Sequence, residues 1–390
     1  MELFRSDSTQ PGIRKSGILP AQEIRELIDN GKIRSPKPVS EEQIQPASID
    51  LRLGAKAYRV AASFLPTKKS LIGPKIREIL LDEIDLTAGA ALKPDNVYIA
   101  PVMEYLSLPG DISGVANPKS TTGRLDVFTR LMAEGQPQFD HVPRGYAGDL
   151  YVEIVPRSFP IIVSTGMKLN QLRFVRGESD VEDEQLRKIA QKRPLVYSEN
   201  GGSPRKPILD RGLWVSVDLA GTTDETIVGY KAKRVPEPID LAKVGAYTVS
   251  DFWKALDASS LRGSLIIKPG EFYLLASKHS VCVPPEYAAE MVAYDQSVGE
   301  FTVHYAGFFD PGFGFGVSGE IEGTRAVLEV RAHEIPMQLE DGQDVGRLQY
   351  HRMAERPTKI YGQNIGSSYQ RQGLALSKQF KQVLSVQAAT

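Results

Sequence analysis

The chain says nearly the same thing twice. Leu92-Lys-Pro-Asp-Asn-Val-Tyr98 returns as Ile267-Lys-Pro-Gly-Glu-Phe-Tyr273, 175 positions later. Tyr151-Val-Glu153-Ile aligns with Val327-Leu-Glu329-Val at a shift of 176. At that same shift of 176, Phe159-Pro160-Ile-Ile-Val-Ser-Thr-Gly166 aligns with Ile335-Pro336-Met-Gln-Leu-Glu-Asp-Gly342. Upstream, Ser48-Ile-Asp50-Leu is echoed by Ser216-Val-Asp218-Leu, shifted by 168. An offset this steady implies two tandem copies of one domain, and 390 residues accommodate them. Where the copies agree, they report scaffold. Where they differ, chemistry is expected.

The residues between these anchors read as mostly β. Val97–Ala100, Leu150–Val155, Pro160–Val163 and Leu169–Phe174 are short apolar stretches punctuated by Pro, Gly and Asp. Phe272–Leu275, Ala326–Val330 and Val345–Tyr350 match them in the second half. Many short strands at regular spacing predict a barrel or jelly-roll-like sandwich. Helices are expected at Pro20–Gly31, with Ile24, Leu27 and Ile28 on one face, and at Asp251–Ala258 behind Ser250. This places an N-terminal domain at 1–178, a linker at 179–207 and a C-terminal domain at 208–390. The charged run Glu178–Arg193 in the linker reads as a solvated helix. The polar tail, 361–390, is a disordered terminus or an arm that folds over a ligand.

Composition removes several function classes. The net charge of −1 leaves no electrostatic footprint for nucleic acid or a membrane surface, but allows a local basic pocket for a small anion. Cys282 stands alone, so no internal disulfide or cysteine metal cluster is expected. The 5 histidines lack metal-ligand spacing, and H-x-E with P-C-x-x-C is missing, which excludes a zinc-dependent nucleobase deaminase. Neither G-x-S-x-G nor a G-x-G-x-x-G fingerprint stands out. Met1–Gly17 has no signal-peptide core and no long apolar run follows it, so a soluble cytoplasmic protein is expected.

Three groups could carry chemistry. Asn117-Pro-Lys119-Ser120-Thr121-Thr122-Gly123-Arg124 sets hydroxyls beside two cations and a glycine, a mixture suited to phosphate oxygens. An ordinary turn with a solvated arginine would look the same. In the second copy this place reads Tyr294-Asp-Gln-Ser297-Val-Gly-Glu300, where a carboxylate would repel phosphate. Glu153 and Glu329 each interrupt an apolar strand. Pointing inward, either could serve as a general base, and pointing outward, either is simple alternation. Asp310-Pro-Gly is strong turn chemistry, and as a hairpin tip needs no other role.

Taken together, these pieces resemble the dCTP deaminase family. The resemblance rests on Gln45-Pro-Ala-Ser48-Ile-Asp50-Leu-Arg52-Leu-Gly54, Lys119-Ser-Thr-Thr-Gly-Arg124, Gly145-Tyr-Ala-Gly148 followed by Glu153, and Thr165-Gly-Met-Lys-Leu-Asn-Gln171-Leu. In the second copy it rests on Asp310-Pro-Gly-Phe-x-Gly and Ser367-Ser-Tyr369-Gln-Arg-Gln372-Gly373. It implies a mainly β fold: two tandem distorted β-barrel or jelly-roll domains of the trimeric dUTPase type, with a few short helices and sites between subunits. It also implies hydrolytic deamination of dCTP to dUTP and ammonia without zinc, feeding thymidylate synthesis. Mg²⁺ would arrive with the triphosphate, and dTTP is a possible feedback inhibitor.

Carried over residue by residue, the resemblance makes Glu153 the base and proton shuttle, with Arg124 and Ser120 beside it. Lys119, Thr121 and Gln171 would contact substrate. Composite sites would instead use Glu329, Ala306 and Tyr369–Gln372 of the second copy, while Asp310 is a substrate contact or, in a pyrophosphatase, the group that activates water. The first arrangement is favoured because Ser120, Arg124 and Glu153 coexist in one copy. Glu153→Gln should then abolish turnover. Three chains would form two stacked pseudo-trimers. The alternatives are a dUTP pyrophosphatase, an enzyme performing both steps, and a non-catalytic nucleotide-binding regulator.

Overall fold

The computed structural model describes residues 15–68, 70–198, 202–222, 226–292, 301–303, 307–362 and 373–381. The repeat is visible in strand register. In copy 1, Ile99 on the strand Val97–Ser107 pairs with Glu153 on one side and Tyr58 on the other. In copy 2, Leu274 on the strand Tyr273–Val281 pairs with Glu329 and Tyr230 in the same way. Both glutamates therefore stand at one point of one scaffold.

Among the described residues, copy 1 folds into a five-stranded and a six-stranded sheet, and copy 2 is built on a ten-stranded sheet. A small third sheet joins the copies. Its middle strand, Ile161–Val163, pairs antiparallel with Ala90–Leu92 and parallel with Ile239–Asp240 of copy 2. The backbone N–H groups of Ile239 and Leu241 donate to Pro160 and Ile162 carbonyls at 2.9 and 3.1 Å.

The core continues across that seam. Phe159 and Ile161 of copy 1 share a cluster with Phe252, Trp253, Phe272 and Phe380 of copy 2. Phe159 meets Phe252 and Trp253 edge-on, with centroids 5.8 and 5.3 Å apart. Burying each such side chain stabilises the pair by about 1.5–3 kcal/mol. The seam is thus part of the interior, not a loose contact between domains.

Local structure follows the sequence at some places and departs at others. The first helix runs Ala21–Asp29 after Pro20, buries Ile24 and Leu27, and stops where Gly31 takes φ +64°. The helix expected at Asp251–Ala258 is instead one turn, Val249–Phe252, followed by the strand Trp253–Asp257. Pairing with Ile227–Ala232 and the buried indole of Trp253 override helix propensity there. The expected linker is not a free tether. Its charged run forms Asp183–Lys192, whose Leu186 and Ile189 enter the copy 2 core together with Leu195 and Val196. The helix Ile72–Glu78 is not among the expected elements. Pro74 lies in the first turn, where its missing N–H leaves no helical bond unmade.

Among the described residues no helix is long and apolar enough to cross a membrane.

Candidate active site

A cavity of about 920 Å³ lies between the copies. Copy 1 supplies its floor through the turn Ser120–Gly123, which follows the strand Ile112–Pro118. The turn is pinned from below, where Thr122 Oγ1 donates to the Leu169 carbonyl at 3.0 Å. Copy 2 supplies Glu329 from the strand Thr324–Ala332. The glutamate is buried, and its carboxylate lies so close over Gly123 that any side chain at that position would strike it. This is why the turn holds a glycine. The residue makes room for a carboxylate from the other copy.

Contacts from two directions hold the halves in register at the turn. Arg331, two positions beyond Glu329, forms an ion pair with buried Asp126, just past the turn. Asp126 also accepts from Ser158 Oγ at 2.6 Å. Burial raises the Asp126 pKa, and the Arg331 charge pulls the other way. From above, the described part of the tail, 373–381, crosses the turn. Arg124 Nη1 donates to the Ala375 carbonyl at 2.8 Å, and Ser377 Oγ donates to the Thr121 carbonyl at 2.9 Å. Phe380 anchors this segment in the shared core.

Glu153 stands elsewhere. It faces Arg130 on the adjacent strand, and that arginine donates through Nη2 and Nε to Oε1 at 2.6 and 2.9 Å. The guanidinium lies 3.6 Å from the Phe139 ring centroid and 4.8 Å from that of Phe128. Glu153 lines no part of the cavity. The expected trio of Ser120, Arg124 and Glu153 is therefore not assembled within the chain, because the copies meet head to tail and bring the other glutamate to the turn. Ala306, Tyr369 and Gln372 lie outside the described residues, as does 294–300.

The remaining cavity wall gathers lysines beside carboxylates: Lys119, Lys168, Lys359 and Lys378 share it with Glu41, Glu42 and Asp50. Lys119 Nζ bonds both Asp50 oxygens at 2.5 and 2.6 Å. The pKa of Lys378 is lowered by burial first and then by the charges of Lys119 and Lys168. Ammonium groups crowded this way favour a polyanion between them. Gln171, nearly buried, accepts from Ser48 Oγ at 3.2 Å at the cavity edge. Sequence reasoning missed Lys168, Lys359 and Lys378. Lys168 sits in a quoted motif, but the other two carry no local signal.

Asp310 is a further carboxylate in the wall, with Oδ1 buried and unbonded. Its Asp-Pro-Gly turn closes with Phe313 N–H donating to the Asp310 carbonyl at 3.1 Å, and Gly312 takes φ +95°. Burial pushes the Asp310 carboxyl up to about 7, although Lys119 pulls it down. Asp140 is likewise pushed up to about 7, again mainly by burial. An unfolded aspartate titrates near ~3.9, so the folded chain holds more protons between there and neutrality. These two groups should lose their stabilising contribution as pH rises from about 4 through 7, and change nothing above that. Melting curves from pH 5 to 8 should show the decline, and Asp310→Asn should make it shallower, leaving the Asp140 share. An unaltered slope in that variant would mean that Asp310 is not a titrating group.

Comparison with known proteins places this arrangement. The profile of the "2'-deoxycytidine 5'-triphosphate deaminase (DCD), C-terminal domain" matches residues 182–380, and that of the N-terminal domain matches 15–178. The chain belongs to the dCTP deaminase family. A crystal structure of 2'-deoxycytidine 5'-triphosphate deaminase from Agrobacterium tumefaciens superposes with a TM-score of 0.80 at 46% identity. That match covers 87% of this chain and all of the other. A "dCTP deaminase, dUMP-forming" from Sulfurihydrogenibium is 29% identical over 168 residues, 42% of this chain and 87% of its own length. A "dCTP deaminase" from Hyperthermus butylicus is also 29% identical over 168 residues, 42% of this chain and 88% of its own length. These shorter relatives each align with less than half of the chain, as expected of a family whose domain stands here twice.

Proposed function

We propose that the chain deaminates dCTP hydrolytically, consuming water and yielding dUTP and ammonia, at a site that uses one half of each copy. The observation that carries this reading is the seating of Glu329 over the Ser120–Gly123 turn. Glu329 takes a proton from the water that attacks C4 and returns it to the departing amine, work suited to a carboxylate held against a dry wall. Ser120 and Arg124 orient the ring and the attacking water. Lys119, Lys168 and Lys378 receive the triphosphate, which brings its own Mg²⁺ as part of the substrate. Thr121, Gln171 and Asp310 complete the pocket, and Tyr369 and Gln372 stay candidate substrate contacts on sequence grounds.

Because copy 2 occupies the Ser120 side of copy 1, this reading replaces the stacked pseudo-trimers with a site complete in one chain. Any homo-oligomer uses other faces. A cytoplasmic location, supply of dUTP for thymidylate synthesis and feedback by dTTP fit the same reading.

The test is ammonia and nucleotide analysis with purified chain, dCTP and Mg²⁺. Ammonia with dUTP supports the reading. Several relatives are dUMP-forming dCTP deaminases, and a second step of that kind here would show as dUMP and pyrophosphate in step with ammonia. Bound dCTP without ammonia would overturn the assignment and leave a nucleotide-binding regulator.

A further inference from the structure

The contact between the copies has two unlike sides. Copy 2 presents Phe272, Leu274 and Val327 beside Glu329, and copy 1 receives them with Phe159, Ile161 and the Ser120 turn. A head-to-tail contact of this kind leaves one presenting face and one receiving face unused, so identical units would continue into a ring or a filament.

The unused presenting face belongs to copy 1. By the register above and the repeat offset, the counterparts of Phe272, Leu274, Val327 and Glu329 are Val97, Ile99, Tyr151 and Glu153. This face is not open. Ile72 and Ile76 pack on Ile99, and Phe64, Phe139, Val97 and Tyr151 join the same cluster. Ile72 N–H donates to Glu134 at 2.9 Å, and Arg130 reaches from Glu153 to Ser63 Oγ at 3.0 Å.

The covering segment, 61–79, has a counterpart that behaves differently. It connects the strands Lys56–Val60 and Leu80–Asp85. In copy 2 the connection between Ile227–Ala232 and Trp253–Asp257 carries Ile239–Asp240, which crosses to pair with copy 1. One connection reaches out and the other folds back. The cover also leaves an apolar rim, with Leu71 and Leu81 exposed by 54% and 50%.

The unused receiving face belongs to copy 2. The strand Met337–Glu340 is the counterpart of Ile161–Val163, and it pairs only with Ser264–Ile267 in a two-stranded sheet among the described residues. Its flanks, Ile266 and Ile335, are exposed by 54% and 50%.

We propose that segment 61–79 is a built-in plug on a second copy of the interface. It seals the presenting face of copy 1, and Arg130 neutralises the glutamate that this face would otherwise offer to another chain. The partner so excluded is a second copy of this chain, through the edge Met337–Glu340. One chain consequently pairs its copies once and stops.

The test is sedimentation velocity on the full chain over a wide concentration range. The parent's mass should hold steady. Ile72→Asp with Ile76→Asp, which unseats the plug, should raise the weight-average mass about twofold with concentration. Adding Ile266→Asp and Ile335→Asp, both on exposed side chains, should reverse the rise. If the aspartate pair prevents folding, replacing 62–78 with a short glycine-serine connector makes the same opening. An opened chain whose mass stays at the parent's value overturns the proposal. So does association that the Ile266 and Ile335 changes leave intact.

Discussion

Glu329→Gln should lower ammonia release from dCTP by about 10³-fold while leaving nucleotide binding nearly intact. The amide keeps the shape of the carboxylate over Gly123 but cannot take the proton from water. Glu153→Gln should do the reverse. Turnover should stay within a few-fold of the parent, because Glu153 lines no part of the cavity. The fold should suffer instead. Glu153 is completely buried, and Arg130, with 26% of its side chain exposed, would lose its ionic partner. Breaking a buried pair costs about 3–5 kcal/mol, and partial exposure of the arginine argues for the lower end. Single-turnover assays and thermal melts on both variants separate the two roles. Loss of turnover in Glu153→Gln with a silent Glu329→Gln would put the base back in copy 1.

Gly123→Ala should be nearly as damaging, although it adds a single methyl. That methyl must share space with the Glu329 carboxylate. The strand carrying Glu329 is locked by Arg331 on Asp126, and the turn is locked by Thr122 on Leu169, so the carboxylate itself is what must move aside. A displacement of about 1 Å in a reacting group costs on the order of 10²-fold in rate. The expected result is a fall of that size in kcat with a small change in dCTP affinity, read by steady-state kinetics beside equilibrium binding. An unchanged kcat would mean that Glu329 does not work from the position it occupies here. Both predictions concern one contact, approached from its two sides.

That contact shows where reading the residues runs out. The 175–176 offset places Glu153 and Glu329 at one point of a common scaffold, and paired strand registers express it in both copies. The Lys119–Arg124 segment is legible as a candidate because its chemistry is compressed into a few residues. Which glutamate meets it is not legible, since that depends on how one copy faces the other. The only trace in the chain is Gly123, whose bareness can be explained by flexibility until the opposing carboxylate is seen. Lys378 and Phe380 belong to a tail whose polarity suggests disorder, yet two hydrogen bonds and a shared aromatic core hold it down. Helix Ile72–Glu78 is hidden by Gly73-Pro74, and its role depends on a face that only the folded repeat creates.

The continuous core beneath Phe159, Trp253 and Phe380 has a consequence for dilution. Sites shared between separate subunits fall apart when subunits become scarce, so their specific activity declines at low concentration. Here the two halves are tethered and packed as one interior, and each is always present at high effective concentration for the other. Specific activity should therefore be the same in a crowded cell and in a nanomolar assay. Neither half, expressed alone, should fold around the face it has lost.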